Sequence, residues 1–205
     1  MKIIDLTQTI ISGMQVYPGD VPPLLQKTHT IEHDSYTNYQ LTIGMHTGTH
    51  IDGPLHMIDN KQLIAEFHLD CFIGKACIID IQNEKIFSNI QIVKEKSIGC
   101  SIILFYTGFG KYFGTDAYIS NYPTISNEVA EFIAQLKIKL VGIDSFSPDI
   151  APYQTHKTLL SNGVLIAENL TNLHLLLNET EFEIIALPLK IAADSAPARI
   201  IALLK

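Results

Sequence analysis

The sequence predicts an α/β fold, a single domain over residues 1–205 with a mixed β-sheet and surrounding helices. Three features point to it. Short apolar runs rich in Ile and Val recur along the chain, each bounded by turn-forming residues, which is the pattern of buried strands. Runs of strand character outnumber those of helical character and alternate with them irregularly, as in a mixed sheet. No repeat, low-complexity tract or Pro/Gly/Ser-rich linker divides the 205 residues, a length that supports one sizeable core.

Taken in order, the expected strands are Ile3 to Leu6, Tyr39 to Ile43, Ala76 to Ile81, Ile102 to Tyr106, Leu140 to Ile143, Phe182 to Leu187 and Ala198 to Leu204. Each is too short for a stable helix and ends in turn chemistry. The clearest helix begins at Ser126, whose hydroxyl can cap it. Glu128 suits its positive end, and Val129, Phe132, Ile133 and Leu136 form one apolar stripe ahead of the lysines of its last turn. Leu173, Leu176 and Leu177 give the same period to a second helix over Leu170 to Leu177.

Composition narrows the function classes. Charged residues make up 17% of the chain, below the usual share of about 25%, so part of the surface is expected to lie against a second copy in a homo-oligomer, a dimer or higher. The net charge is −7 and the lysines are scattered, which argues against a nucleic-acid partner. No uncharged apolar stretch reaches the roughly 18 residues of a membrane helix. The opening MKIIDLTQTIISGM places Asp5, Thr7 and Gln8 where a signal peptide needs an unbroken apolar centre. Cys71, Cys77 and Cys100 are odd in number and lack CxxC spacing; Cys77 and Cys100 sit in apolar runs and read as buried thiols of a cytoplasmic protein.

The most informative stretch is Met45 to Met57, MHTGTHIDGPLHM. His46, His50, Asp52 and His56 fall at intervals of four, two and four. Imidazole and carboxylate are the donors that suit zinc, manganese or ferrous iron. Gly48, Gly53 and Pro54 argue against a helix, so a glycine-punctuated loop at a strand end should bring the four side chains together. A histidine-rich surface turn would account for any two of these residues, but poorly for all four. Thr47 and Thr49 suit either a turn or hydrogen bonds to a ligand imidazole.

Among the other histidines, His29, His33 and His68 sit in polar or loop segments and read as solvated, while His174 suits either water or a core position. His156 follows the strand that ends at Asp144 and Ser145, after an irregular Pro-containing loop. Glu168 comes twelve residues later, directly after the apolar VLIA. Spacing leaves Glu168 open between a charge at a helix start and a ligand entering from a strand end. Ser145 and Ser147 lack a GxSxG context, and no GxGxxG or P-loop pattern points to a nucleotide.

HTGTHIDGPLH resembles the signature of the metal-dependent hydrolases called the cyclase family, which includes bacterial kynurenine formamidases. Val16-Tyr17-Pro18-Gly19-Asp20, GIDSFSPD at Gly142 to Asp149, His156 to Leu160, IAENLTNL at Ile166 to Leu173 and PLKIAADSAPARIIAL near the C-terminus extend the resemblance over nearly the whole chain. It implies a kynurenine formamidase-like fold with a Zn2+ site of two ions per chain, Mn2+ being the alternative. His46, His50 and Asp52 would bind one ion. Asp52 would bridge to a second held by His156, with Glu168 touching the metals. His56 would be the proton donor and acceptor, a ligand role not being excluded, and Tyr17 would pack on the substrate. The implied activity is an arylformamidase that cleaves a small amide, N-formylkynurenine, to kynurenine and formate in tryptophan catabolism, using water activated by the metal. Two departures bear on the substrate: the family often has Trp where Tyr17 stands, and DSAPAR replaces the more usual DGSPVR. The alternatives are a cyclic amide or lactone hydrolase of the isatin-hydrolase kind, using manganese, and a metal- or metabolite-binding module without catalysis. Retention of His56 argues against the module, because binding needs no shuttle.

Overall fold

Ile, Val and Phe favour extended backbone because their side chains pack well on a pleated surface, and the apolar runs of this chain become strands. In a computed structural model, residues 2–204 are described, so the two end residues of the expected 1–205 domain lie outside the described residues. The strands are β1 (Lys2–Asp5), β2 (Leu24–His29), β3 (Asn38–Thr42), β4 (His50–Asp52), β5 (Ile73–Asp80), β6 (Ile86–Phe87) and β7 (Ile102–Tyr106). They continue with β8 (Thr124–Ile125), β9 (Leu140–Ile143), β10 (Leu165–Glu168), β11 (Phe182–Pro188) and β12 (Ser195–Leu204). The α-helices are α1 (Ile31–Asp34), α2 (Ile90–Lys96), α3 (Asn127–Ala134) and α4 (Gln154–Ser161).

Eight strands form one sheet in the order β1-β12-β11-β5-β7-β9-β10-β4, and β4 also pairs with β12. That last pairing closes the sheet: seven strands make a ring and β1 hangs outside it on β12. The run β5-β7-β9-β10 is parallel, and the remaining pairs are antiparallel. The mixed sheet is therefore present, but the expected shell of helices is only partly so. Closure gives the sheet its own interior, leaving α2, α3 and α4 to cover the outer face of the parallel strands.

Two apolar clusters follow from this. Ile51, Ile102, Leu104, Leu140, Ala167 and Ile184 belong to the inner one. Ile103, Phe105, Val141 and Ile166 face outward against Val93 of α2, Val129 and Ile133 of α3, and Leu159 and Leu160 of α4. The parallel strands are thus apolar on both faces, as strands covered on both sides must be.

The helix expected at Ser126 forms as α3, with the Ser126 hydroxyl accepting from the Val129 amide at 3.4 Å. It ends at Ala134, before the lysines. The helix expected over Leu170 to Leu177 shrinks to a 3-10 turn, Leu173–Leu176, because Asn169 and Asn172 adopt left-handed φ values of 57° and 60° that break a helix on entry. No helix among the described residues is long and apolar enough to cross a membrane.

Candidate metal centre and substrate cleft

The His/Asp motif straddles β4. Antiparallel pairing sets Glu168 of β10 directly opposite His50 and Ile166 opposite Asp52, so His50, Asp52 and Glu168 share one face of the sheet. Ile51 and Ala167 turn into the ring, which aims the three polar side chains outward, toward α4. His156, which follows the Pro-containing loop, lies inside α4. Leu159 and Leu160 bury that helix against the sheet and bring His156 over the pair of strands.

Two glycines shape the loops around β4. Gly48 has φ +62°, and its turn directs its carbonyl back to accept from Asn169 Nδ2 at 3.0 Å and to meet His50 Nδ1 at 2.8 Å. Gly53 donates its N–H to the Asp194 carbonyl at 3.0 Å, and a Cβ there would stand 2.6 Å from the same oxygen. Glycine at 53 therefore lets the start of β12 close over the site.

His46, His50, Asp52, His56, His156 and Glu168 converge. Asp52 Oδ1 lies 2.8 Å from His46 Nδ1 and 3.4 Å from His50 Nε2, while Asp52 Oδ2 is 3.8 Å from His156 Nε2. Glu168 reaches His50 Nε2 at 3.4 Å and His156 Nε2 at 3.2 Å. Glu168, open at the sequence level, thus enters from a strand end.

Two carboxylates that spacing did not single out complete the cluster. Asp149 Oδ1 lies 2.6 Å from His156 Nδ1, and its Oδ2 accepts from the His156 amide at 3.0 Å. Asp194 Oδ2 lies 2.9 Å from His46 Nε2 and 3.5 Å from His56 Nδ1. Both sit inside the segments GIDSFSPD and DSAPAR, but no spacing rule ties an aspartate to a histidine 148 residues away.

The donor set fits a cation. Both oxygens of Asp52, His50 Nε2 and Glu168 Oε1 are buried without a hydrogen bond, since the nearby imidazole nitrogens are within ion-pair reach but not aligned to donate. Buried polar atoms left this way are costly unless something else satisfies them. Donor atoms of His46, Asp52 and His56 lie within 4.8 Å of one another, as do those of His50, Asp52 and Glu168. With their Nδ1 atoms held by Gly48 and Asp149, His50 and His156 present Nε2 inward.

Electrostatics agrees. Burial works to lower the His46 and His50 pKa values, but the surrounding Asp194, Asp52 and Glu168 carboxylates outweigh it and raise them to about 9 and about 10. Burial likewise works against ionised Asp52, and the imidazoles pull its pKa well below the usual range. The hydrogen bond from His46 brings Asp194 down to about 2. His56 differs: burial dominates and lowers its pKa, so it stays neutral.

The cluster forms one end of a cleft of about 310 Å³. Its other walls are aromatic: Tyr17, Phe113, Tyr118, Phe146 and Tyr153. Tyr17 stacks on Phe146 with centroids 5.6 Å apart, and its hydroxyl lies 2.7 Å from that of Tyr153. Buried Tyr118 donates to Asn169 Oδ1 at 2.8 Å, tying the aromatic wall to the residue that holds Gly48.

The Cyclase family model matches residues 4–150. The chain belongs to the cyclase family of metal-dependent hydrolases. Among cyclase-family relatives, an uncharacterized protein of Methanocaldococcus jannaschii is 38% identical over the full length of both chains. The kynurenine formamidase of Bacillus thuringiensis subsp. konkukian is 29% identical over 96% of this chain and 94% of its own. The solved structure of a potential metal-dependent hydrolase with cyclase activity superposes with a TM-score of 0.80 at 28% identity, covering 98% of this chain and 96% of that one. Isatin hydrolase A of Labrenzia aggregata shares the fold, with a TM-score of 0.86 at 22% identity over 99% of this chain and 93% of its own.

Proposed function

We propose that this cyclase-family hydrolase is an arylformamidase that cleaves an N-formyl aryl amine such as N-formylkynurenine to the free amine and formate, with two zinc ions per chain. The observation that carries it is Asp52: it belongs to both donor sets, and each of its buried oxygens faces different imidazoles. On the family resemblance, rather than on those two groupings, His46, His50 and Asp52 would hold one ion, and Asp52, His156 and Glu168 the other. The likeness to kynurenine formamidases over nearly the whole chain supports the amide substrate.

When bound, the metal supplies a Lewis acid for the formyl oxygen and lowers the pKa of water from about 15.7 toward 7. The remaining work falls to the chain. Neutral His56, whose ring lies 4.1 Å from that of His46 and 6.2 Å from that of His156, accepts a proton from the attacking water and returns it to the departing aryl nitrogen. Asp194 orients His56 through Nδ1. Tyr17 and Phe146 hold the aryl ring and keep bulk water from the scissile bond. The chain acts as one cytoplasmic domain in a homo-oligomer, consistent with its low charge content of 17%.

The test is metal content per chain on protein purified without chelator, with N-formylkynurenine hydrolysis measured on the same sample. Near two zincs with rapid turnover is the expected result. Turnover of a cyclic amide or lactone in place of the formamide would reassign the substrate, and a chain that takes up neither zinc nor manganese would overturn the reading.

A further inference from the structure

The charges around the cleft are one-sided. Among the described residues its lining contains neither Lys nor Arg, and apart from imidazoles its charged side chains are Glu168, within the cluster, and Asp20. Asp20 is exposed, which puts it at the rim rather than at the reacting end. It closes a tight turn by donating its N–H to the Tyr17 carbonyl at 2.9 Å, and its carboxylate has no partner among the described residues. That turn is anchored across the cleft. Gln15 donates to the Thr115 carbonyl at 2.9 Å and accepts from the Gly114 amide at 3.1 Å, so the carboxylate is carried on a fixed segment. Beside it, Tyr17 is locked onto Phe146 and Tyr153.

An ammonium group at this rim would meet the Asp20 carboxylate and the faces of aromatic rings, both of which attract cations. A carboxylate there would meet Asp20 with no Lys or Arg among the described lining residues to offset the repulsion. We propose that Asp20 selects substrates by charge: the preferred substrate is an N-formyl aryl amine whose side chain bears an ammonium group, and one bearing only a carboxylate is rejected. Of the two side-chain charges of N-formylkynurenine, only its ammonium finds a complement. The reaction named here rests on the arylformamidase reading; the charge preference of the cleft does not.

The experiment compares two formamides of matched length on the zinc-loaded enzyme, formylkynuramine with an ammonium at the end of its side chain and 4-(2-formamidophenyl)-4-oxobutanoate with a carboxylate there. The kcat/KM ratio is expected to favour formylkynuramine by about tenfold or more, the scale of one charge-assisted hydrogen bond. Asp20→Asn should collapse that ratio toward one by raising KM for formylkynuramine, and Asp20→Glu should restore it. Calorimetric binding of kynuramine and 4-(2-aminophenyl)-4-oxobutanoate to the same proteins reads the preference without turnover. If neither formamide is hydrolysed but kynuramine still binds more tightly through Asp20, the reaction reading falls and charge selection stands. Equal kcat/KM values and equal affinities, or a preference untouched by Asp20→Asn, would overturn the proposal.

Discussion

Asp52 is fully buried beneath three imidazoles, and each of those imidazoles has its own second partner. Removing it should therefore empty the site, whereas removing His56 should not. Asp52→Ala is expected to lose bound metal on dialysis, while His56→Ala keeps most of it and loses about 100-fold or more in kcat. Equal metal loss in both would make His56 a ligand rather than a shuttle. Asp149→Asn keeps the shape of the side chain but weakens its hold on His156; metal affinity should drop about 10- to 100-fold, read by competition with a chelating dye. The raised pKa values near 9 and 10 of His46 and His50 set a pH signature. In the metal-free chain both bind protons more tightly folded than unfolded, so the stability they contribute is fully present below about 6.5 and is lost as pH rises through 9 to 10. The melting temperature of metal-free protein should fall over that window. Metal-loaded protein should lack this trend, since its imidazoles are already deprotonated.

At the scale of elements, what could be seen in advance depended on how far each signal reached along the chain. The long apolar runs announced β5, β7, β9, β11 and β12, and a serine cap announced α3. β4 is three residues long, His-Ile-Asp, with no periodicity to display, and its pairing with β10 and β12 comes entirely from chain folding. α4 was hidden because its N-cap is Tyr153 in a left-handed conformation, a residue type that carries no capping signal. The histidines and aspartate of the motif were legible as a cluster because their spacing is local; Asp194 was not, because tertiary contact alone brings it to His46 and His56, and Asp149, though seven residues from His156, matches no ligand spacing that would mark it. Gly53 belongs to this scale too. Gly53→Ala would push a methyl group into the Asp194 carbonyl, and we expect a loss of about 1–3 kcal/mol in urea unfolding of the metal-free protein. If the alanine variant unfolds like the parent, the joint between β4 and β12 is looser than its geometry implies.

For the whole molecule, the hairpin of β2 and β3 stands apart: from Leu24 to Ile43 no residue is buried, and Leu24, Leu25, Tyr39 and Leu41 are exposed. An isolated two-stranded hairpin is marginal in water, which joins the low charge content in supporting self-association. Light scattering at micromolar concentration should give at least twice the 22.8 kDa chain mass, and a monomer peak would count against it. The ring closure has a consequence for biogenesis. β4 is held on one side by β10 and on the other by β12, which begins at Ser195, so the strand carrying His50 and Asp52 gains its second neighbour only from the last part of the chain. A nascent polypeptide that has not yet made β12 holds most of the candidate donors but lacks the strand that flanks them. The side chains of the cluster are therefore expected to come together late, once β12 has folded back onto β4.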